Sequence, residues 1–399
     1  MKIYKNQTVL EAALNRIRFL FDEFPNVVVG FSGGKDSTVT LELALTVARE
    51  KGRLPLSVLF IDQEAEWQGT IDYMDYIMAR PEINPLWFQM PMVITNNASS
   101  YNRYSKCWDP EAEDKWIHPK SPLSIKNNIY GTERFHELFK AIFGVEFKNT
   151  KSCYLAGMRT EESPKRHSTL TSALTYKHIT WGKILDKAKQ HYTFYPIFDW
   201  SYKDIWKYIH DNKVKYNRLY DEFYRHQVPL QEMRISNVHH ETAIQSLLLI
   251  QEIEPKTWEK VSERIDGANT IKHIKKNSFQ CPKELPFMFA SWEEYAMHLS
   301  KNIIQEEKNK IDLLKIIEEK SILYNEGFIR NDYWKTIIKT ILSSDWDFTK
   351  IKNWEMSQHV YNYRQYKRGK RKKEMLLHHK YFTQEQINDL INQTHEGTI

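Results

Sequence analysis

The chain has 399 residues and only three cysteines, Cys107, Cys153 and Cys281. No two have the Cys-x-x-Cys spacing of a zinc ribbon or a thioredoxin-like pair. So sparse a set describes no disulfide framework, which fits a reducing compartment. Long apolar runs are missing too. No apolar segment of a secretory signal follows Met1-Lys2-Ile3-Tyr4-Lys5-Asn6. No stretch approaches the roughly 18 apolar residues of a membrane helix. The expectation is a cytoplasmic protein with no membrane span. Adjacent His239 and His240 invite a metal, but neighbours on a helix point about 100° apart. No third ligand is evident, so no zinc centre is expected.

What is present is a moderately basic, aromatic-rich chain. Its formal net charge is +6, with twelve Trp, twenty-two Tyr and nineteen Phe. The charge suits an anionic ligand and permits nucleic acid. The aromatics are expected mainly in cores and interfaces.

The organising stretch is Val27-Val28-Val29-Gly30-Phe31-Ser32-Gly33-Gly34-Lys35-Asp36-Ser37, followed by an apolar run to about Ala48. A β-branched strand, a Gly-Gly turn and a helix make a phosphate cradle. Gly33 and Gly34 let an anion approach without a Cβ in the way. The N–H groups of the turn and the helix dipole then favour it. Lys35 adds a point charge, and Ser32 and Ser37 offer hydroxyls. A Walker A loop is excluded, because Val29 and Asp36 stand where it needs a Gly and a Ser or Thr.

The helix expected over Thr8 to Phe24 has Thr8 and Glu11 in capping-box spacing. Strands are expected at Val27–Phe31, Leu56–Ile61 and Leu86–Met90, with a right-handed parallel crossover between the first two. The helix after the loop is expected to be buried on both sides, with a further one over Thr70–Met78. Asp62 and Glu64 directly follow the second strand, where ligand-binding residues of open parallel sheets collect. From Ile94 to about Lys126 the periodicity dissolves into a long loop, either an aromatic-basic lid or a plain insertion. A helix returns over Thr132–Phe143.

The second chemical stretch, Tyr154-Leu155-Ala156-Gly157-Met158-Arg159-Thr160-Glu161-Glu162-Ser163, ends a short strand in Gly-x-Arg. Gly157 permits close backbone approach, and the Arg159 guanidinium suits a pair of phosphate oxygens. Arg166 follows. A third stretch runs Tyr195-Pro196-Ile197-Phe198-Asp199-Trp200, Asp204-Ile205-Trp206 and Asn217-Arg218-Leu219-Tyr220-Asp221. Asp199 or Ser201 is expected to cap a helix there. From about Ser236 the chain turns helical and charged, with one or two amphipathic helices expected over Ser291–Glu319. Arg364, Lys367, Arg368, Lys370, Arg371, Lys372 and Lys373 cluster beside tyrosines. That cluster reads either as a nucleic-acid contact or as a solvated or protein-docking face.

Ser32-Gly33-Gly34-Lys35-Asp36-Ser37 resembles the PP-loop of the ATP pyrophosphatase superfamily. Gly157, Arg159, Glu162 and Ser163 resemble the Gly-x-Arg-x-x-Glu-Ser segment of PAPS reductases. The third stretch resembles the segment that closes the nucleotide domain in such proteins. The similarity covers about residues 8–235. The resemblance implies an α/β fold, a Rossmann-like parallel sheet of the adenine nucleotide alpha hydrolase kind. It divides the chain into a nucleotide-binding domain over 1–235 and a helical C-terminal extension over 236–399. That extension resembles a subgroup of the immunoglobulin-binding regulator (Ibr) type, which implies a ParB-like partner.

The tail cysteine that PAPS reductases use has no counterpart here. The expected activity is therefore ATP pyrophosphatase-like, giving AMP or an adenylylated acceptor plus pyrophosphate. The alternatives are PAPS handling with a thiol supplied from elsewhere, and a nucleotide-binding, DNA-associated regulator. The resemblance implies ATP (or PAPS) and Mg²⁺ as cofactors. Ser32, Gly33, Gly34, Ser37, Asp62, Gly157 and Arg166 are expected to bind nucleotide. Lys35, Asp36 and Arg159 are the expected catalytic residues, with Asp36 placing the metal.

Overall fold

The computed structural model describes residues 6–96, 99, 102, 104–171, 175–230, 233, 235, 244–269, 281–304 and 306–367. Two compact units emerge. The first holds the described residues to Asn269 (Ser99 and Asn102 excepted), and the second those from Cys281 onward. The first unit therefore runs beyond the change of composition at 236.

The first unit opens with α1 (Val9–Glu23). Its capping box forms as expected: Glu11 N donates to Thr8 Oγ1 at 3.2 Å, and Thr8 N to Glu11 Oε2 at 2.9 Å. The chain continues through β1 (Asn26–Gly30), α2 (Lys35–Glu50), β2 (Leu56–Ile61), α3 (Gln68–Met78) and β3 (Ile83–Phe88). Helix α2 is buried on both sides, with Val39, Leu41, Leu43, Leu45 and Val47 all enclosed. Strand β3 lies earlier than the expected Leu86–Met90 and includes Pro85. It is the outermost strand of the sheet, and beyond β2 it meets only an isolated bridge from Phe88 to Ile125, so the missing N–H of Pro85 breaks no second ladder.

The stretch expected to be structureless contains a hairpin, β4 (Met92–Thr95) against β5 (Tyr104–Cys107), and a 3-10 turn over Pro110–Lys115. Met92, Ile94 and Cys107 pack with Phe88, Trp108 and Tyr130. That burial fixes strands which the polar loop between them obscures. Next come α4 (Phe135–Glu146), β6 (Ser152–Leu155), α5 (Pro164–Thr171), β7 (Thr175–Tyr176), β8 (Ile179–Asp186) and β9 (His191–Phe194). Sequence reading had no strand between 166 and 195. The unit closes with α6 (Tyr202–Asp211), α7 (Leu219–Arg225), α8 (Ile244–Ile253) and α9 (Pro255–Arg264). Ser201 caps α6 in a box with Asp204, while Asp199 takes a two-pronged ion pair from Arg16 (2.8 and 2.6 Å).

The seven-stranded sheet has the order β3-β2-β1-β6-β9-β8-β7. The first five strands in that order are mutually parallel, and β8 and β7 add an antiparallel edge. The chain moves outward from β1 to β3, then returns to place β6 on the other side of β1. Loops leaving the carboxyl ends of β1 and β6 therefore diverge and open a crevice.

The second unit is helical: α10 (Trp292–Asn302), α11 (Glu307–Ser321), α12 (Gly327–Leu342), α13 (Thr349–Glu355) and α14 (Gln358–Lys367). Its core includes Leu313, Ile317, Tyr324, Tyr333, Ile337 and Trp354. Arg364 donates to the Glu355 carbonyl and Lys367 pairs with Glu326. The rest of the basic cluster, 368–373, and the His239-His240 pair lie outside the described residues. Among the described residues no helix is long and apolar enough to cross a membrane.

The end of α1 yields a test. One Glu23 carboxylate oxygen accepts from Lys151 Nζ (2.5 Å), Lys177 Nζ (2.8 Å) and the Tyr176 hydroxyl. These donors, Lys151 foremost, pull its carboxyl from an ordinary 4.5 down to about 2. A depressed folded pKa gives stability that is present above pH 4.5 and lost as pH falls towards 2. Glu23→Gln is expected to lower unfolding free energy by about 1 kcal/mol at neutral pH. Urea denaturation across pH should show wild type and variant converging at the acid end.

Candidate functional site

Gly30 ends β1, and Phe31 to Gly34 lead into α2. Gly33 has φ +71°, in the left-handed region, and a Cβ there would lie 3.0 Å from Thr70 Cγ2. Gly34 is the N-cap of α2 and provides no side-chain cap. Ser37 Oγ donates to the Gly34 carbonyl at 2.9 Å, accepts from Ser32 N at 3.3 Å and lies 3.2 Å from Ser32 Oγ. Two hydroxyls thus meet at the mouth of the loop, over a helix N-terminus.

The second motif closes on the first from β6. A Cβ on Gly157 would stand 2.8 Å from the Asp36 carbonyl and from Ser37 N. The two main chains touch, and any side chain at 157 would push them apart. A cavity of about 420 Å³ opens beside this contact, within the roughly 300–1,000 Å³ range of small-molecule sites. Ser32, Ser37, Gly157 and Arg166 border it, with Phe60, Phe135, Phe139, Tyr154 and Met158 as an apolar wall. Gln63 and Glu66 supply further polar lining.

Lys35, Asp36 and Arg159 come together, but behind the cradle. Arg159 Nε donates to Asp36 Oδ1, and Lys35 Nζ lies 3.5 Å from Asp36 Oδ2. Arg159 also reaches Glu161 at 3.1 Å and Glu162 at 3.7 Å, and Glu162 pairs with Arg166. Lys35 Nζ donates to the Met233 carbonyl at 3.0 Å and sits 5.2 Å from the Tyr220 ring centre. Burial pushes the Lys35 ammonium down, against the pull of Asp36. The Asp36 carboxylate is thus engaged by two cations, and it fits poorly as a first ligand for Mg²⁺. Among the described residues no cluster of three or more His, Cys, Asp or Glu is arranged to hold a metal.

Asp62 points away from the cavity. It is fully buried and accepts from Glu64 N (2.8 Å), Trp87 Nε1 (3.1 Å) and Gln89 Nε2 (2.8 Å). The chain reverses at Glu64, whose φ is +67°, and Gln63 and Glu66 take the cavity wall instead. Sequence reading missed Glu66, although its place after the second strand was the available signal. Tyr220, read from the sequence only as part of the segment that closes the domain, touches the loop directly: its hydroxyl accepts from Lys35 N at 3.0 Å. Asn217 Nδ2 donates to Thr70 Oγ1 at 3.1 Å. The third motif therefore buttresses the loop from below.

Cys107 and Cys153 are buried away from the cavity, and burial pushes both thiols up. Gly157→Ala is expected to displace the Ser37 backbone and weaken ligand binding at the cavity by about tenfold or more. The variant should melt lower, and ligand titration beside a thermal melt separates the two effects.

The chain's residues 26–226 match the model of the phosphoadenosine phosphosulfate reductase domain, and residues 227–376 match a domain of unknown function, DUF3440. The chain is 29% identical over 374 residues to the uncharacterized protein YbdN of Escherichia coli K12, covering 87% of this chain and 91% of that one. It is 22% identical over 216 residues to an adenosine 5'-phosphosulfate reductase of Lysinibacillus sphaericus, covering 53% of this chain and 76% of that one. It is 25% identical over 224 residues to sulfate adenylyltransferase subunit 2 of Shewanella pealeana, covering 53% and 66% respectively. With its Gly-rich loop and its Gly-x-Arg turn facing each other across the switch point, the chain belongs to the phosphoadenosine phosphosulfate reductase domain family and carries a DUF3440 region behind that domain.

Proposed function

We propose that the cavity binds an adenine nucleotide and that the protein cleaves ATP between the α and β phosphates. The observation that carries this reading is the pair of hydroxyls, Ser32 and Ser37, meeting over the α2 N-terminus beside an aromatic-walled cavity. Phosphates belong at the loop, where N–H dipoles and hydroxyls are already oriented. The adenosine belongs against Phe60, Phe135, Phe139 and Tyr154. Similarity to a sulfate adenylyltransferase subunit supports adenylyl chemistry.

An acceptor oxygen or water attacks the α-phosphorus, the bond to the bridging oxygen breaks, and pyrophosphate leaves with the electron pair. Arg166 borders the cavity and is placed to offset charge on the departing phosphates. Arg159 acts on the loop, through Asp36. No cavity residue is an evident nucleophile, so the chain supplies position and electrostatics. A ParB-like partner, implied by the resemblance, is one source of the acceptor.

A second reading has PAPS or adenosine 5'-phosphosulfate in the same cavity, with a thiol from another protein. The burial of Cys107 and Cys153 favours an outside thiol for that reaction. Products from α- and γ-labelled ATP with Mg²⁺ separate the two. The full chain is expected to yield AMP, or an AMP-acceptor adduct, plus pyrophosphate. Ser37→Ala should cut the rate by about 10²-fold. Cleavage between the β and γ phosphates would overturn the proposal. Intact ATP, with sulfite formed from labelled PAPS once a thiol reductant and partner are added, would favour the second reading.

A further inference from the structure

A second cavity, of about 590 Å³, lies elsewhere in the first unit, lined by Glu113, Trp116, His118, Pro119, Lys120, Lys126 and Lys260. It shares no lining residue with the nucleotide cavity. Segment 62–66 runs between them: Gln63 and Glu66 line the first, while Asp62 lies behind His118, which lines the second. We propose that this second cavity binds a tetrahedral oxyanion, either free or as the phosphate or sulfate group of a small organic ester. The proposal does not rest on the ATP reading.

Three ammonium groups face one carboxylate, Glu113. Two of the three are held in place before any ligand arrives. Lys120 Nζ sits 4.4 Å from the Trp116 ring centre and 5.5 Å from that of Trp108. Lys260 Nζ donates to the Ile117 carbonyl at 3.0 Å. Heads fixed in this way lose little freedom on binding. Lys120 is half-buried, and burial pushes its ammonium down. A cation taken from water without a matching anion is costly, and a bound dianion relieves that cost.

The floor is rigid. His118 is 2% exposed, and its Nε2 has no hydrogen-bond partner, 3.6 Å from Asp62 Oδ1. Asp62 is in turn held by Trp87 and Gln89, and its carbonyl accepts from Trp108 Nε1 at 2.8 Å. The indole of Trp116 and the cavity's volume suit an ester with a small organic body. Lys126, which is exposed, adds the third ammonium to the lining.

Calorimetric titration of the full chain tests this, with inorganic phosphate, inorganic sulfate and ribose 5-phosphate as probes. Ser37→Ala weakens the competing anion site at the loop and should leave one binding event at its wild-type affinity. In that background Lys126→Ala, at an exposed position, should melt like its parent and weaken the event by about threefold. Lys120→Met with Lys260→Met should weaken it by about tenfold or more. The tightest of the three probes identifies the source of the oxyanion. Loss of all anion binding in Ser37→Ala, or affinity unchanged in the lysine variants, would overturn the proposal. Failure of the ATP reading has a different signature: labelled ATP stays intact while lysine-dependent binding persists.

Discussion

The site depends on the approach of two main chains where β1 and β6 part. Gly157 lies against the backbone of Asp36 and Ser37 with no room for a side-chain atom. The contact joins segments about 120 residues apart in sequence, so the sheet must form before the cradle has its shape. Once formed, it brings Arg159 onto Asp36 and encloses the pair, where charges interact more strongly than in water.

That enclosed cluster changes the reading of the loop. Lys35 and Arg159 are balanced by Asp36, Glu161 and Glu162, and Arg166 is shared with Glu162. The cations next to the loop serve largely to hold it. What the loop presents is oriented dipoles and hydroxyls. Such groups need little reorganisation when charge develops on a ligand.

Much of this was legible in the sequence. The Thr8–Glu11 box, the first two strands and the order of the motifs follow from local spacing, while the α6 cap was narrowed only to Asp199 or Ser201. The residues that turn inward were harder to read. Asp62 and Glu66 lie four apart on one loop, and a left-handed residue at Glu64 decides which of them meets the cavity. Strand β8 escaped notice because its fit depends on a partner outside its own stretch. Gly182 leaves space for the ring of Phe194, with a Cβ there only 2.5 Å from it. The offset of β3 came from Pro85, which reads as a breaker but is tolerated at a sheet edge.

Glu254 carries a consequence of its own. Its carboxylate accepts from Gln68 N at 2.8 Å and Gly69 N at 2.9 Å, capping α3 from the α8–α9 junction. Arg264 likewise grips Glu64 at 2.7 Å. Both residues lie past 226, within the span of the second family model. The boundary between the two family matches is thus not the boundary between the two folded units. A chain that lost or exchanged everything past 226 would uncap a helix beside the Gly-rich loop. That gives selection a reason, independent of anything the helical region does, to pass the two parts on together.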